Sequence, residues 1–230
     1  HNDACLVTNY NAIKDVVAKR YLNQFDTLIR SNAAVPILEK IVSKSSSYLN
    51  NLVLSINPFG FRTYFRGSDK GDISILTSKG WAKVKRTEIT KGVEYVDMYK
   101  IIVGRFVPSN GEMSVKPGDG YRVLTEPQIL SPQQINTETY IDTAVFPTQE
   151  EATNYKKYLC SKFARYLLRQ GVTSVNVTRE CFAFVPIQDF TSQSDINWSE
   201  SVQNIDQQLY AKYNLSEDEI EFIEKMIKPM

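Results

Sequence analysis

A chain of 230 residues with 42% hydrophobic and 23% charged residues and a formal net charge of +1 has an ordinary globular composition, sized for one large domain or two small ones. No apolar run nears the roughly 20 residues that span a bilayer, and residues 1–30 lack a basic-then-apolar secretory signal, so a cytoplasmic protein with no membrane partner is expected. The single His, at position 1, excludes Ser–His and Cys–His hydrolase arrangements, while Cys5, Cys160 and Cys181, odd in number and widely spaced, predict neither a disulfide framework nor a metal site.

Taken from the start, Ile13, Val16, Val17, Phe25, Leu28 and Ile29 recur at helical spacing. Asn32 is placed to cap a second helix carrying Val35, Ile37, Leu38 and Ile41, which Ser45-Ser46-Ser47 then breaks. Residues 1–50 therefore read as a helical N-terminal segment. Asn57-Pro58-Phe59-Gly60 has some likeness to the Asn-Pro-Pro-Tyr loop of adenine methyltransferases. It lacks the second proline and has Phe third and Gly fourth, and it reads as a turn entering a strand.

From about residue 52 the period changes to two. Phe61, Thr63 and Phe65 alternate with Arg62, Tyr64 and Arg66, and strands follow at Ile73–Ile75, Trp81–Lys85 and Tyr99–Val107, the last closed by Pro108-Ser109-Asn110-Gly111. Residues 51–147 form a β-rich region, an antiparallel sheet or barrel, ending in Tyr140, Ile141, Val145 and Phe146.

Thr148 and Glu151 make a capping box that predicts one continuous amphipathic helix over 149–170, stopped by Gly171. Val175, Val177, Phe182, Phe184 and Val185 predict one or two more buried strands. Residues 201–213 read as a helix, and Ser216 with Glu219 caps another that carries Ile220, Ile223 and Ile227. The fold class is α+β: a helical start, a β-rich middle and a mixed helical region over 148–230 packing on it.

The charge is unevenly spread. Residues 61–122 hold twelve Lys/Arg against seven Asp/Glu, residues 155–181 six against one, and residues 195–230 three against eight. Such asymmetry is expected of a nucleic-acid binder. With Phe61 and Phe65 inward, Arg62, Tyr64 and Arg66 share the outer face; with Ala82 and Val84 inward, Trp81, Lys83 and Lys85 do, with Arg86 following. These seven residues are the candidate DNA-binding set, against the plainer reading of a solvated sheet face. Lys156, Lys157, Lys162, Arg165 and Arg169 form a second basic run, read first as a solvated helix face and second as a phosphate-tracking one. Magnesium-nuclease chemistry is demoted, because no lysine has an acidic residue two positions before it.

Several blocks carry a family resemblance: Thr137-Glu138-Thr139-Tyr140, Tyr158-Leu159-Cys160-Ser161-Lys162-Phe163, Phe184-Val185-Pro186-Ile187-Gln188-Asp189-Phe190, and Leu209-Tyr210-Ala211-Lys212-Tyr213-Asn214-Leu215 with Glu219-Ile220 and Phe222-Ile223-Glu224. Together with weaker similarity through Pro58-Phe59-Gly60-Phe61, they resemble the C-terminal target-recognition region, the TaqI-like specificity domain, of restriction–modification adenine methyltransferases and single-chain methylase–endonucleases. The resemblance covers about residues 25–230. It implies a non-catalytic, double-stranded DNA recognition module attached to an upstream methyltransferase domain of the same polypeptide. That absent domain would use S-adenosylmethionine and flip the adenine, while this fragment needs no cofactor or metal of its own. A start at His1 without a processing signal agrees with an excised piece. Two other readings stay open: an interaction module joining methylase and nuclease parts, and a divergent nuclease.

Overall fold

The computed structural model describes residues 4–9, 16–106 and 120–230. Its strands are β1 (Cys5–Asn9), β2 (Val16–Arg20), β3 (Ile73–Thr77), β4 (Gly80–Val84), β5 (Tyr99–Gly104), β6 (Gln128–Leu130), β7 (Gln134–Asn136) and β8 (Tyr140–Phe146). The helices are α1 (Ala34–Lys44), α2 (Gln149–Cys160), α3 (Lys162–Gly171), α4 (Val202–Lys212) and α5 (Glu217–Met226). This is an α+β chain with its strands concentrated in the middle and its helices at the C-terminal end.

The N-terminal expectation changes. Val16 and Val17 lie in β2, which pairs antiparallel with β1, so the first helix is replaced by a two-stranded sheet. Ile13 and the 108–111 turn fall outside the described residues. The physical reason is a tertiary tie: the Arg20 guanidinium donates to the Ile29 carbonyl at 2.5 Å. The Asn32 amide donates to the Val7 carbonyl at 2.7 Å instead of capping the next helix. α1 forms as its apolar spacing predicts, with Ile37, Leu38 and Ile41 fully buried and Ser45 extended at its end.

The middle is built from two three-stranded sheets, ordered β4–β3–β7 and β6–β5–β8, with no closed barrel among the described residues. The second sheet is antiparallel throughout, while β3 and β7 run parallel. A small core of Phe59, Phe61, Ile73, Ile75, Val84, Ile89, Val96 and Ile135 lies under the first sheet. Leu76, Ile102 and Leu130 join the two sheets. Gly71 shapes the chain beside β4. It has φ +148°, and a Cβ there would lie 2.5 Å from the Val84 oxygen and 2.7 Å from its nitrogen. Gly71→Ala is therefore expected to destabilise the protein by about 2 kcal/mol, read as a lower urea midpoint at unchanged slope. An unshifted midpoint would show that the segment yields freely.

The largest core gathers α1–α5 against the β6–β5–β8 sheet, with Tyr155, Tyr158, Phe163, Tyr166 and Phe182 wholly inside. Thr148 caps α2 by accepting from the Glu151 N–H at 3.2 Å, and Ser201 and Ser216 cap α4 and α5 in the same way. The expected continuous helix over 149–170 is two helices, because Ser161 is extended (φ −64°, ψ 148°). Its hydroxyl accepts from the Ala164 N–H at 3.0 Å, and the Asp206 carboxylate takes the N–H groups of Lys162 and Phe163 at 3.0 and 2.9 Å. Three new N-terminal donors are thereby satisfied, which removes most of the cost of restarting a helix. The strands expected over 175–185 are absent too. Val177, Phe182, Phe184 and Val185 are buried, but through a 3-10 turn at Arg179–Phe182 and isolated bridges, and Val175 is exposed.

Candidate nucleic-acid interface

Strand pairing fixes which side chains share a face of the β4–β3–β7 sheet. Ile73, Ile75, Ala82, Val84 and Ile135 point to the small core. Alternation puts Ser74, Leu76, Trp81, Lys83, Gln134 and Asn136 on the other side. Register aligns them in two rows across the strands: Lys83–Ser74–Gln134 and Trp81–Leu76–Asn136. Leu76 is covered by Ile102 and Leu130 of the neighbouring sheet, whereas Trp81 at the outer edge remains 53% exposed. A cleft of about 430 Å³ lies on this face, lined by Ser68, Asp69, Ser74, Trp81, Ala82, Lys83 and Gln134.

The alternation expected for β4 therefore holds: Trp81 and Lys83 share the outer face, and Lys85 continues it in extended, exposed backbone. Lys83 Nζ donates to Ser74 Oγ at 2.9 Å, which holds the ammonium at the cleft. The strand expected over 61–66 is a correction. Phe65 N–H bonds the Arg62 carbonyl at 2.9 Å, so this stretch is a turn with no strand alternation. Two apolar anchors explain it: Phe61 is buried and packs its ring 4.5 Å from that of Phe65, drawing both toward the small core. Arg62, Tyr64 and Arg66 are all exposed, Tyr64 by 77%. Arg66 donates to the Thr63 carbonyl at 2.9 Å and to Ser78 Oγ at 3.3 Å, which places it beside the β3–β4 turn.

Two of the seven candidates have their charge matched locally. Arg62 pairs with Glu138 at 3.0 Å, and the Arg86 guanidinium with Asp97. The Arg86 N–H also donates to Asp72 at 2.9 Å, and this hydrogen bond is the main reason the Asp72 carboxyl is held below its ordinary range. Lys83 and Lys85 carry no such ion pair among the described residues. Gln134 and Asp69 were missed by sequence reasoning: the three-residue β7 is too short to show a period, and Asp69 sits in a turn where acids are ordinary.

The second basic run is engaged by groups of the molecule itself, with only Arg165 fully buried and the other four half-buried. Arg165 is fully buried and donates to the carbonyls of Cys160, Ser161 and Arg122 at 3.1–3.2 Å. Lys157 caps the carbonyls of Trp198, Ser199 and Glu200, and Lys162 pairs with Glu224 at 2.5 Å. Lys156 lies 3.9 Å from Glu126, and the Arg169 guanidinium sits 3.6 Å from the centre of the Tyr121 ring.

Phe59, in the loop compared with a methylation motif, is completely buried, so its ring offers no clamp for a flipped base. Asn57 there has φ 59° and its carbonyl accepts from Gly60 N–H at 3.3 Å, which makes the turn expected, though a loop rather than a strand follows. Among the described residues, no group of three His, Cys, Asp or Glu side chains is placed to hold a metal ion, and no helix is long and apolar enough to cross a membrane. Comparison with known protein families, curated proteins and solved structures gives no match.

Proposed function

We propose that this chain is a double-stranded DNA recognition module of a restriction–modification adenine methyltransferase or methylase–endonuclease, working in the cytoplasm. The observation that carries the reading is the outer face of β4. There a half-exposed Trp81 stands beside Lys83 and Lys85, two lysines with no ion pair among the described residues, a grouping of aromatic and basic side chains suited to a duplex. The sequence blocks over residues 137–224 support it independently. In this reading the module supplies affinity and register, while methyl transfer and adenosylmethionine belong to the upstream domain of the same polypeptide. Phe59 is buried, so no methylation step is assigned to these residues.

Duplex binding should weaken with a log–log salt slope of about −0.9 per phosphate neutralised. The Lys83→Ala, Lys85→Ala double variant should bind all sequences more weakly, with the slope reduced by roughly one per lysine. Arg62→Ala and Arg86→Ala should change the slope less, because each guanidinium already faces a carboxylate. Unchanged affinity and slope in a folded double variant would defeat the assignment of this face.

A second reading, a module that joins protein parts, is favoured by one observation. The β1–β2 sheet presents Leu6 at 74% and Val17 at 58% exposure. Salt-insensitive binding to a protein partner, with no binding to DNA, would select it.

A further inference from the structure

The antiparallel bridge between Phe106 and Asn176 sets Arg105 opposite Val177, whose N–H donates to the Arg105 carbonyl at 2.7 Å. On the other flank the Leu54 N–H bonds the Asp142 carbonyl at 3.0 Å, which brings residues 54–56 beside β8. Between the two lies a pocket of about 280 Å³ with aliphatic walls from Leu54, Ile56, Ile141 and Val177. Arg105 lines it, half-buried, and its guanidinium has no hydrogen bond or ion pair among the described residues. Arg179 lines it too. It follows Val177 across an extended Thr178, a diagonal neighbour of Arg105 at roughly 7–8 Å between side-chain roots, and it donates to the Val53 carbonyl at 2.5 Å. From this arrangement we infer that the pocket docks a protein partner through a segment carrying an Asp or Glu carboxylate flanked by apolar side chains, with Arg105 pairing the carboxylate. The inference goes beyond the DNA-recognition reading and does not rest on it.

The acids of the pocket are already engaged. Glu138 holds Arg62 at 3.0 Å and accepts from the Thr63 N–H at 3.3 Å. Hydrogen bonds from the Thr178 hydroxyl and from its own N–H hold the Glu180 carboxyl below its ordinary range. Three guanidinium groups, those of Arg62, Arg105 and Arg179, therefore face two carboxylates, and the one positive charge left over falls to Arg105. A half-buried guanidinium has lost part of its hydration, and a planar carboxylate taking two parallel N–H groups restores the most. The aliphatic walls call for an apolar neighbour on the same ligand. Ile56 in the pocket, and Phe106 and Val175 at the bridge beside it, are exposed. Exposed apolar side chains grouped around an arginine are the composition of a surface that another protein covers. A DNA phosphate would match the charge but would leave those three side chains against phosphate, sugar and water. Charge and apolar surface together favour a polypeptide.

The test is selection from a random peptide display library by the chain and its variants, with folding checked by thermal melting and duplex salt slopes measured alongside. The chain should enrich peptides in which Asp or Glu stands next to apolar residues. A selected peptide should bind Arg105→Ala on the order of tenfold more weakly. Arg105→Glu should select Lys or Arg in place of the acid, because the charge it offers is reversed. Ile56→Ser should keep the preference for the acid and lose that for its apolar neighbour. If the chain enriches no such peptides, or if folded Arg105→Ala binds them as the parent does, the inference is overturned and the DNA reading is untouched. If Arg105→Ala instead lowers the duplex salt slope by roughly one and leaves peptide selection unchanged, the pocket seats a phosphate and the inference is likewise overturned.

Discussion

Asp206→Ala is expected to lower the unfolding free energy by about 3–5 kcal/mol, chiefly by leaving two backbone donors buried without an acceptor. The carboxylate is nearly inaccessible and takes the N–H groups of Lys162 and Phe163, the first two of α3. Without it both donors are buried and unpaired, and each costs about 1–3 kcal/mol. The same change strips the buried Arg165 of a countercharge. Burial already draws that guanidinium down to about 10, with Asp206 as the first influence opposing the fall. Burial likewise pushes the Asp206 carboxyl up to about 6, against the two backbone hydrogen bonds and Arg165, which hold it down. Urea denaturation monitored by circular dichroism reads the loss as a lower midpoint. Asp206→Asn, which keeps one carbonyl acceptor, should cost less. A loss below about 1 kcal/mol for the alanine variant would mean that water reaches the break and satisfies it.

The second large effect depends on pH and centres on Asp142, inside β8. Its Oδ2 accepts from the Asn136 amide at 2.8 Å, and its Oδ1 is buried with no partner among the described residues. Burial raises its carboxyl to about 7, against the Asn136 hydrogen bond and the positive charge of Lys100. Lys100, also wholly buried, donates to the carbonyls of Tyr95, Val96 and Met98, and burial lowers its ammonium to about 8. The two signs differ. For Asp142 the folded state holds its proton more tightly than the unfolded state between about pH 4 and 7, so its contribution to stability falls as pH rises through that window. For Lys100 the unfolded state holds the proton more tightly between about pH 8 and 10.5, so stability recovers as pH rises there. The pair therefore contributes least near pH 7–8. Between pH 5 and 8 the Asp142 contribution should decline by about 2–3 kcal/mol. Asp142→Asn stays neutral and keeps an acceptor for Asn136, so its stability relative to the parent should rise by that amount across the same interval. Parallel curves for the two proteins would refute the assignment.

Both effects arise at places the sequence left unmarked, and the contrast with what it did mark has a physical cause. Thr148 and Ser216 are recognisable as caps because the N–H each one satisfies lies three residues on, within the same turn. The outward set Trp81 and Lys83 is legible because alternation in a strand is a local geometric rule. Ile37, Leu38 and Ile41 announce a buried helical stripe for the same reason. The α+β class follows from such short-range signals added together.

Tertiary structure alone decided the rest. The lysines and arginines of 156–169 look like a solvated run, because sequence shows a charge and hides its partner. Glu224, Trp198 and Tyr121 reach these side chains only after the chain has closed on itself. The break at Ser161 needed Asp206, and the neutralisation of Arg62 needed Glu138, both far along the chain. The turn at 62–65 overrode a period of two because Phe61 and Phe65 gain more from the small core than from strand pairing. The parallel pairing of β7 with β3 brought Gln134 to the cleft through a three-residue strand too short to carry a period. Local rules extend about one helical turn or a few strand residues. Charge pairing, burial and parallel strand pairing are settled by contacts between residues that only the folded chain makes neighbours.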